Sequence, residues 1–116
     1  MKNDVVNLID MKFACERIRT IVDGVDIDDF VLDEQATYAV SFELLALGEA
    51  SKHVYSSTRH DLDDIPWQDL RLMRNMLAHE HFTINPRTLY RTAVHDVPAI
   101  EKALDDYLSR YRLDRA

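Results

Sequence analysis

Residues 8–25 read LIDMKFACERIRTIVDGV, and the spacing of their apolar positions decides the fold class. Leu8, Met11, Cys15, Ile18, Val22 and Val25 recur at alternating steps of three and four. That is the period of one face of an α-helix, sustained for about five turns. A half-buried strand would alternate every second residue, and no stretch of this chain does so convincingly. Gly24 and the acidic cluster Asp26-Ile27-Asp28-Asp29 end this first helix.

Beyond this helix, Asp33 is placed to cap a second one that runs to about Tyr55. Tyr38, Phe42, Leu45 and Glu49 form one stripe along it, and Val40, Leu44 and Leu47 widen its apolar surface. Such breadth predicts a central helix packed on several sides. Gly48 interrupts it at a cost of about 1 kcal/mol relative to alanine, so a second helix is expected to approach closely there. Residues 56–65 are polar and read as the main loop. Pro66 suits the first turn of a third helix, whose buried side is Trp67, Leu70, Met73 and Leu77. Thr83-Ile84-Asn85-Pro86 reads as a break, followed by a short helix from Pro86 to about His95. Asp96 then caps a last helix with Val97, Ile100, Leu104, Tyr107, Leu108 and Tyr111 as its apolar positions. The expected architecture is all-α, one helical domain over residues 1–116, with a long antiparallel helix pair as its base.

Composition limits the function classes. The chain has 116 residues, enough for one core, and its two glycines and three prolines argue against disorder. The single cysteine, Cys15, excludes an internal disulfide framework and lies on the apolar seam, which predicts a buried structural thiol. No apolar run approaches a membrane span, and Val5-Val6-Asn7-Leu8-Ile9 is too short and too acidic in its flanks for a secretory signal. A soluble, cytoplasmic protein is expected. The net charge of −7 is unevenly spread. Residues 1–65 carry 6 basic and 14 acidic side chains, whereas residues 66–91 carry Arg71, Arg74, Arg87 and Arg91 against Asp69 and Glu80. The one net-basic segment uses arginine alone, the side chain better suited to phosphate.

That segment contains Arg74-Asn75-Met76-Leu77-Ala78-His79. An imidazole can accept or donate a proton near neutrality, and a guanidinium can hold phosphorane charge through forked hydrogen bonds. Together with a carboxamide these groups suffice for metal-free cleavage of an RNA phosphodiester. Arg74, Asn75 and His79 are therefore the candidate catalytic residues. Residues five apart on a helix are rotated by about 140° and separated by roughly 7.5 Å along the axis. Arg74 and His79 of one chain do not converge easily on one phosphate, whereas Asn75 and His79 share a face. A working site needs either a second copy of the helix or a helix that unwinds at His79.

The run Leu44-Leu45-Ala46-Leu47-Gly48-Glu49-Ala50-Ser51-Lys52, followed by Ile65-Pro66-Trp67 and then Met73-Arg74-Asn75-Met76-Leu77-Ala78-His79, resembles the HepT-like branch of the HEPN superfamily. The resemblance covers about residues 5–110 and includes Asp96-Val97-Pro98 before the last helix. It implies a HEPN-like helical homodimer in which the Arg-X4-His helices meet at the two-fold axis. It also implies a metal-independent endoribonuclease toxin, paired with a small nucleotidyltransferase antitoxin of the MNT type. Arg74 and His79 match the catalytic pair, and Asn75 matches the polar residue that commonly follows the arginine. One position departs: such motifs continue as His-X-Tyr, with AMP attached to the tyrosine, whereas this chain has His79-Glu80-His81. The resemblance then leaves two routes for the antitoxin, binding alone or modification of another residue such as Tyr90.

Other positions carry competing expectations. His79 and His81, two apart on a helix, point in different directions, and no cysteine or carboxylate cluster completes a metal site. Glu49 either pairs with an arginine in a dimer core, such as Arg74, or is a satisfied structural carboxylate near the interface. Trp67 reads as a core anchor before a base-stacking platform, and His53, His60 and His95 as solvent-facing or capping residues. The alternative to a nuclease is a non-catalytic helical partner that helps a nucleotidyltransferase bind its substrate, its arginines serving as an anion site.

Overall fold

The computed structural model describes residues 2–80 and 84–115, with side chains over 4–79 and 84–110. Among the described residues every regular element is helical: α1 (Lys2–Val22), α2 (Ile27–Leu32), α3 (Glu34–Lys52), α4 (Ser56–Asp61), α5 (Trp67–Glu80), α6 (Pro86–Arg91), a π-helical segment (Thr92–Asp96) and α7 (Val97–Arg115). The all-α expectation holds.

The seam of α1 forms the centre of the core. Leu8, Met11, Cys15 and Ile18 are fully buried and Val22 nearly so. Each large aliphatic removed from water this way contributes about 1.5–3 kcal/mol. Against α1 lie α3 on one side and α7 on the other. Asn7 of α1 donates to the His53 carbonyl beyond the end of α3, while Arg17 pairs with Glu43 nearer its start, so the two long helices run antiparallel. Arg19 with Glu101, and Lys12 with Asp105, fix α7 antiparallel to α1 in the same way. The long antiparallel pair is present as α1 and α3.

Helix ends follow their sequence signals. Gly24 adopts a φ of 71°, the left-handed conformation that lets the chain leave α1 without a Cβ penalty. Asp33 caps α3 by accepting from the Ala36 amide at 3.1 Å. The Cys15 thiol is buried, and burial beside Glu101 and Asp105 pushes its pKa up to about 12. That is an inert, structural cysteine.

Four expectations need correction. The acidic cluster after α1 does not merely end a helix: Asp26 caps α2, accepting from the Asp29 amide at 2.9 Å, and buried Phe30 packs on Tyr90. The polar stretch 56–65 holds α4, whose first turn is fixed from outside by Asp4, which accepts from the Tyr55 amide and the Thr58 hydroxyl. Asp96 caps nothing, because residues 86–115 run on as one helix through the π segment, in which the Val97 amide donates to the Thr92 carbonyl. Pro98 gives the physical reason. It has no N–H for the Val94 carbonyl and its ring crowds that oxygen, so the helix widens just ahead of it. Lastly, Val40, Leu44 and Leu47 of α3 are buried, but Tyr38 and Phe42 are 54% and 60% exposed. Half of the broad apolar surface of α3 therefore remains outside this chain's own core. Tyr111, expected on the apolar side of α7, lies outside the described side chains.

Candidate active site

The third long helix, α5, is held against α3 by a narrow crossing. Leu70 and Leu77 are buried beneath it, with Trp67 and Met73 half-buried beside them. At Gly48 the two helices come so close that an added Cβ would collide with the Cβ of Arg74 and lie 3.1 Å from the Leu70 carbonyl oxygen. The close approach expected at Gly48 is therefore real, and the residue it admits is Arg74. Glycine here sets the height of the arginine stem over α3.

Once the stem is seated, its head is fixed by two neighbours. Arg74 Nε donates to Glu49 Oε1, one residue beyond the glycine, and Arg74 Nη1 donates to Asn75 Oδ1 at 2.9 Å. The guanidinium beside Glu49 holds that carboxyl below its ordinary range. Of the two readings open for Glu49, pairing with Arg74 is the observed one, and it occurs within a single chain. Nη2 of Arg74 and the amide nitrogen of Asn75 have no protein partner among the described residues. A forked donor with one arm tied and one arm open is suited to an anion arriving from solvent.

His79 sits in the last turn of α5, exposed and without a hydrogen-bond partner among the described residues. The segment stays α-helical through Glu80, so the chain does not unwind at His79. Viewed down α5, Asn75 and His79 lie on the outward side within about 40° of each other, and Arg74 lies roughly 140° from His79 on the side toward α3. One chain thus brings Arg74, Asn75 and Glu49 together and leaves His79 apart from the guanidinium. His81, the departure from the motif, lies outside the described residues.

The remaining candidates fall into structural places. Trp67 Nε1 donates to the Leu62 carbonyl at 2.9 Å, which anchors the start of α5. The Tyr90 hydroxyl donates to the Val25 carbonyl at 2.6 Å, and its ring packs on Phe30 at a centroid distance of 5.4 Å. His53, His60 and His95 are exposed. Among the described residues no group of three His, Cys, Asp or Glu side chains converges as a metal site, and no helix is long and apolar enough to cross a membrane.

Phe42 and half-buried Leu45 lead along α3 to Glu49. Exposed Phe13 of α1 lines a shallow trough with Ala46, Glu49 and Ala50, whose other walls are the polar Asn7, Asp10, Arg17 and His53. Sequence periodicity named Phe42 and Leu45 but assigned them to the interior, since it cannot tell a buried apolar face from an exposed one, and it gave no sign of Phe13.

The chain is similar to several known proteins. A profile described as ribonuclease HepT-like matches residues 11–107. A protein of Caldanaerobacter subterraneus subsp. tengcongensis, named as a candidate RNase, is 32% identical over 96 residues, covering 83% of this chain and 86% of that one. A protein of Thermococcus cleftensis, named as a candidate ribonuclease HepT, is 31% identical over 94 residues, 81% of this chain and 86% of the relative. A third, named as a candidate RNase in Methanocaldococcus jannaschii, is 28% identical over 98 residues, with 84% and 90% covered. No solved structure gives a significant match.

Proposed function

The chain belongs to the ribonuclease HepT-like family, a branch of the HEPN superfamily, and on that premise we propose that it is a metal-independent endoribonuclease that works as a homodimer. The observation that carries this reading is the state of Arg74: seated by Gly48, braced by Glu49 and Asn75, and open at Nη2. Arg74 holds the phosphate and then the phosphorane, whose extra charge strengthens the forked contact in the transition state. Asn75, its oxygen occupied by Arg74, offers its amide N–H groups to a second phosphate oxygen. The imidazole of His79 moves the proton.

The chemistry is transesterification. The 2'-oxygen attacks phosphorus as its proton passes to a base, the bond from phosphorus to the 5'-oxygen breaks, and that oxygen takes a proton from an acid. Products carry a 2',3'-cyclic phosphate and a 5'-hydroxyl. One His79 cannot easily reach the phosphate held by its own Arg74 across about 140° of helix. A second copy, docked on the exposed face of Phe42, Leu45 and Phe13, supplies the missing imidazole. Burial of that face removes apolar side chains from water and also surrounds the Arg74–Glu49 pair, which strengthens its electrostatics.

Subunit mixing tests this arrangement. His79→Ala and Arg74→Ala homodimers are expected to be nearly inactive, and mixed dimers to regain one working site. Activity should persist in EDTA. A stable monomer by sedimentation at micromolar concentration would remove the composite site, and wild-type protein that cleaves no RNA would favour the non-catalytic partner of a nucleotidyltransferase.

In the same reading the protein is a toxin neutralised by an MNT-type nucleotidyltransferase. With His81 where a tyrosine would accept AMP, and with the Tyr90 hydroxyl tied to Val25, neutralisation is by binding. Intact-mass spectrometry after co-expression should then show no AMP adduct, and an adduct at any residue would refute neutralisation by binding alone.

A further inference from the structure

One cluster of cations has no role in the reaction just described. Lys52 at the end of α3, Arg59 in α4 and Arg71 in α5 line one cleft of about 300 Å³, together with Trp67 and Gln68. In a chain of net charge −7 six described cations, Lys12, Arg17, Arg19, Arg74, Arg87 and Lys102, pair with carboxylates, and of the five that do not, Arg91 and Arg110 lie apart from this cleft. Lys52, Arg59 and Arg71 pair with none among the described residues. Asp61, Asp63 and Asp64 are nearby in sequence, yet none of them forms an ion pair with these three. Like charges gathered around one hollow repel one another, and an anion entering it relieves that repulsion.

The position of the cleft says which anion. Arg71 stands one turn, about 5 Å, before Arg74 and Asn75 on the same helix. Lys52 stands three residues after Glu49, the brace of Arg74, and is one of the charges that hold the Glu49 carboxyl down. The cleft therefore adjoins the guanidinium proposed to hold the scissile phosphate. Trp67 adds a second property. Its indole N–H is spent on the Leu62 carbonyl, so the ring is fixed in orientation and presents only its aromatic surface to the cleft. Cations for a phosphate, with a fixed aromatic beside them, are the recurrent means of holding single-stranded nucleic acid without reading its sequence.

We propose that the Lys52–Arg59–Arg71 cleft is a subsite for a nucleotide of the RNA strand flanking the scissile bond, its phosphate held by the three cations and its base against Trp67. The inference rests on the nuclease reading for its choice of RNA, and it explains how an acidic protein keeps a polyanion at one place. Binding there is local, dependent on salt and tolerant of base identity. Every phosphate that the protein no longer neutralises makes the slope of log affinity against log salt shallower by about 0.7.

Trp67 is the only tryptophan in the chain, so its fluorescence reports on this cleft alone. The probe is a single-stranded 2'-O-methyl oligoribonucleotide, which binds but lacks the nucleophile for cleavage. Wild-type protein should show a saturable change in tryptophan emission on titration. The double variant Arg59→Gln/Arg71→Gln, both exposed positions, should bind about tenfold or more weakly with a shallower salt dependence. Lys102→Gln/Arg110→Gln, which removes the same charge from α7, should bind as wild type does. If wild type cleaves nothing but the cleft variant still loses binding and the emission change, the subsite stands and the nuclease reading falls. If wild type cleaves RNA, and the cleft variant binds and cleaves like the α7 variant, the subsite falls and the nuclease reading stands. Unaltered RNA affinity with loss only of nucleotidyltransferase binding overturns it in favour of an acidic protein surface.

Discussion

Two arginine–glutamate pairs join helices in this protein, and they differ in what they leave undone. Between α1 and α7, Arg19 donates through both Nε and Nη2 to both oxygens of Glu101, each at 2.9 Å, and the glutamate side chain is only 11% exposed. Between α5 and α3, Arg74 gives Nε alone to Glu49, whose side chain is 41% exposed, and turns Nη1 to Asn75. The first pair is closed: each carboxylate oxygen is answered by a nitrogen of the same guanidinium. The second is open: the guanidinium gives a single nitrogen to Glu49 and turns another to Asn75. Identical chemistry closes on itself in one place and is shared between two side chains in the other. What separates them is where the two engaged nitrogens of each guanidinium go, both to one carboxylate in the first pair and to two different side chains in the second, and the two kinds of pair should respond differently to substitution.

The largest effect is expected beyond the open pair, at its missing partner. His79→Ala should lower RNA cleavage by about 10²-fold or more with no loss of fold, measured as initial rates beside circular dichroism. Cleavage that persists would mean that the open pair serves something other than proton-transfer chemistry. Exchanging the arginines compares the two pairs directly. Arg74→Lys keeps the charge but loses the fork, so cleavage should fall about tenfold or more with little change in melting temperature. Arg19→Lys should do the opposite, lowering the melting temperature while the folded protein cleaves normally. If both variants lose activity and stability alike, the distinction between closed and open fails.

A smaller effect is expected at the crossing itself. Gly48→Ala gains roughly 1 kcal/mol of helix propensity but forces Arg74 away from α3, an overpacking cost of about 1–3 kcal/mol. Urea denaturation should therefore show a modest net destabilisation, and cleavage should fall by more than the stability change accounts for. A more stable and fully active variant would show that the close approach does not position the arginine. The smallest effect concerns acid. Glu49 titrates below its ordinary value of 4.5 because of Arg74. Its contribution is fully present above that value and is lost as pH falls through the lowered one. Glu49→Gln should thus lower the melting temperature slightly at neutral pH, since the carboxylate is well exposed, and converge with wild type at acid pH, where Glu49 is itself protonated. A difference from wild type that is larger at acid pH than at neutral pH would contradict the assignment.

How much of this was legible in the chain varies by element. α1, α3, α5 and α7 follow from apolar periodicity, because a helix repeats its own face and neighbouring residues record it. The Asp33 cap and the close approach at Gly48 were equally local. α2 was missed although its signals were present: Asp26 as cap, Asp28 and Asp29 in the first turn, and one apolar residue, Phe30, to bury. α4 was not legible, since Tyr55 gives no side-chain cap and the helix start is held by Asp4, about fifty residues away.

At the candidate site the division is sharper. Sequence alone determined the residue types, Arg74, Asn75 and His79, and the helical rotation that sets the arginine and histidine on different sides. It did so because helical geometry depends only on residue number. Tertiary structure decided that Glu49 braces Arg74 within one chain, that Phe42 is left outside while Leu44 is buried, and that Lys52, Arg59 and Arg71 share one cleft with Trp67. These depend on which helices become neighbours and at what distance, and a pairing across some twenty-five residues leaves no periodic trace in the chain that makes it.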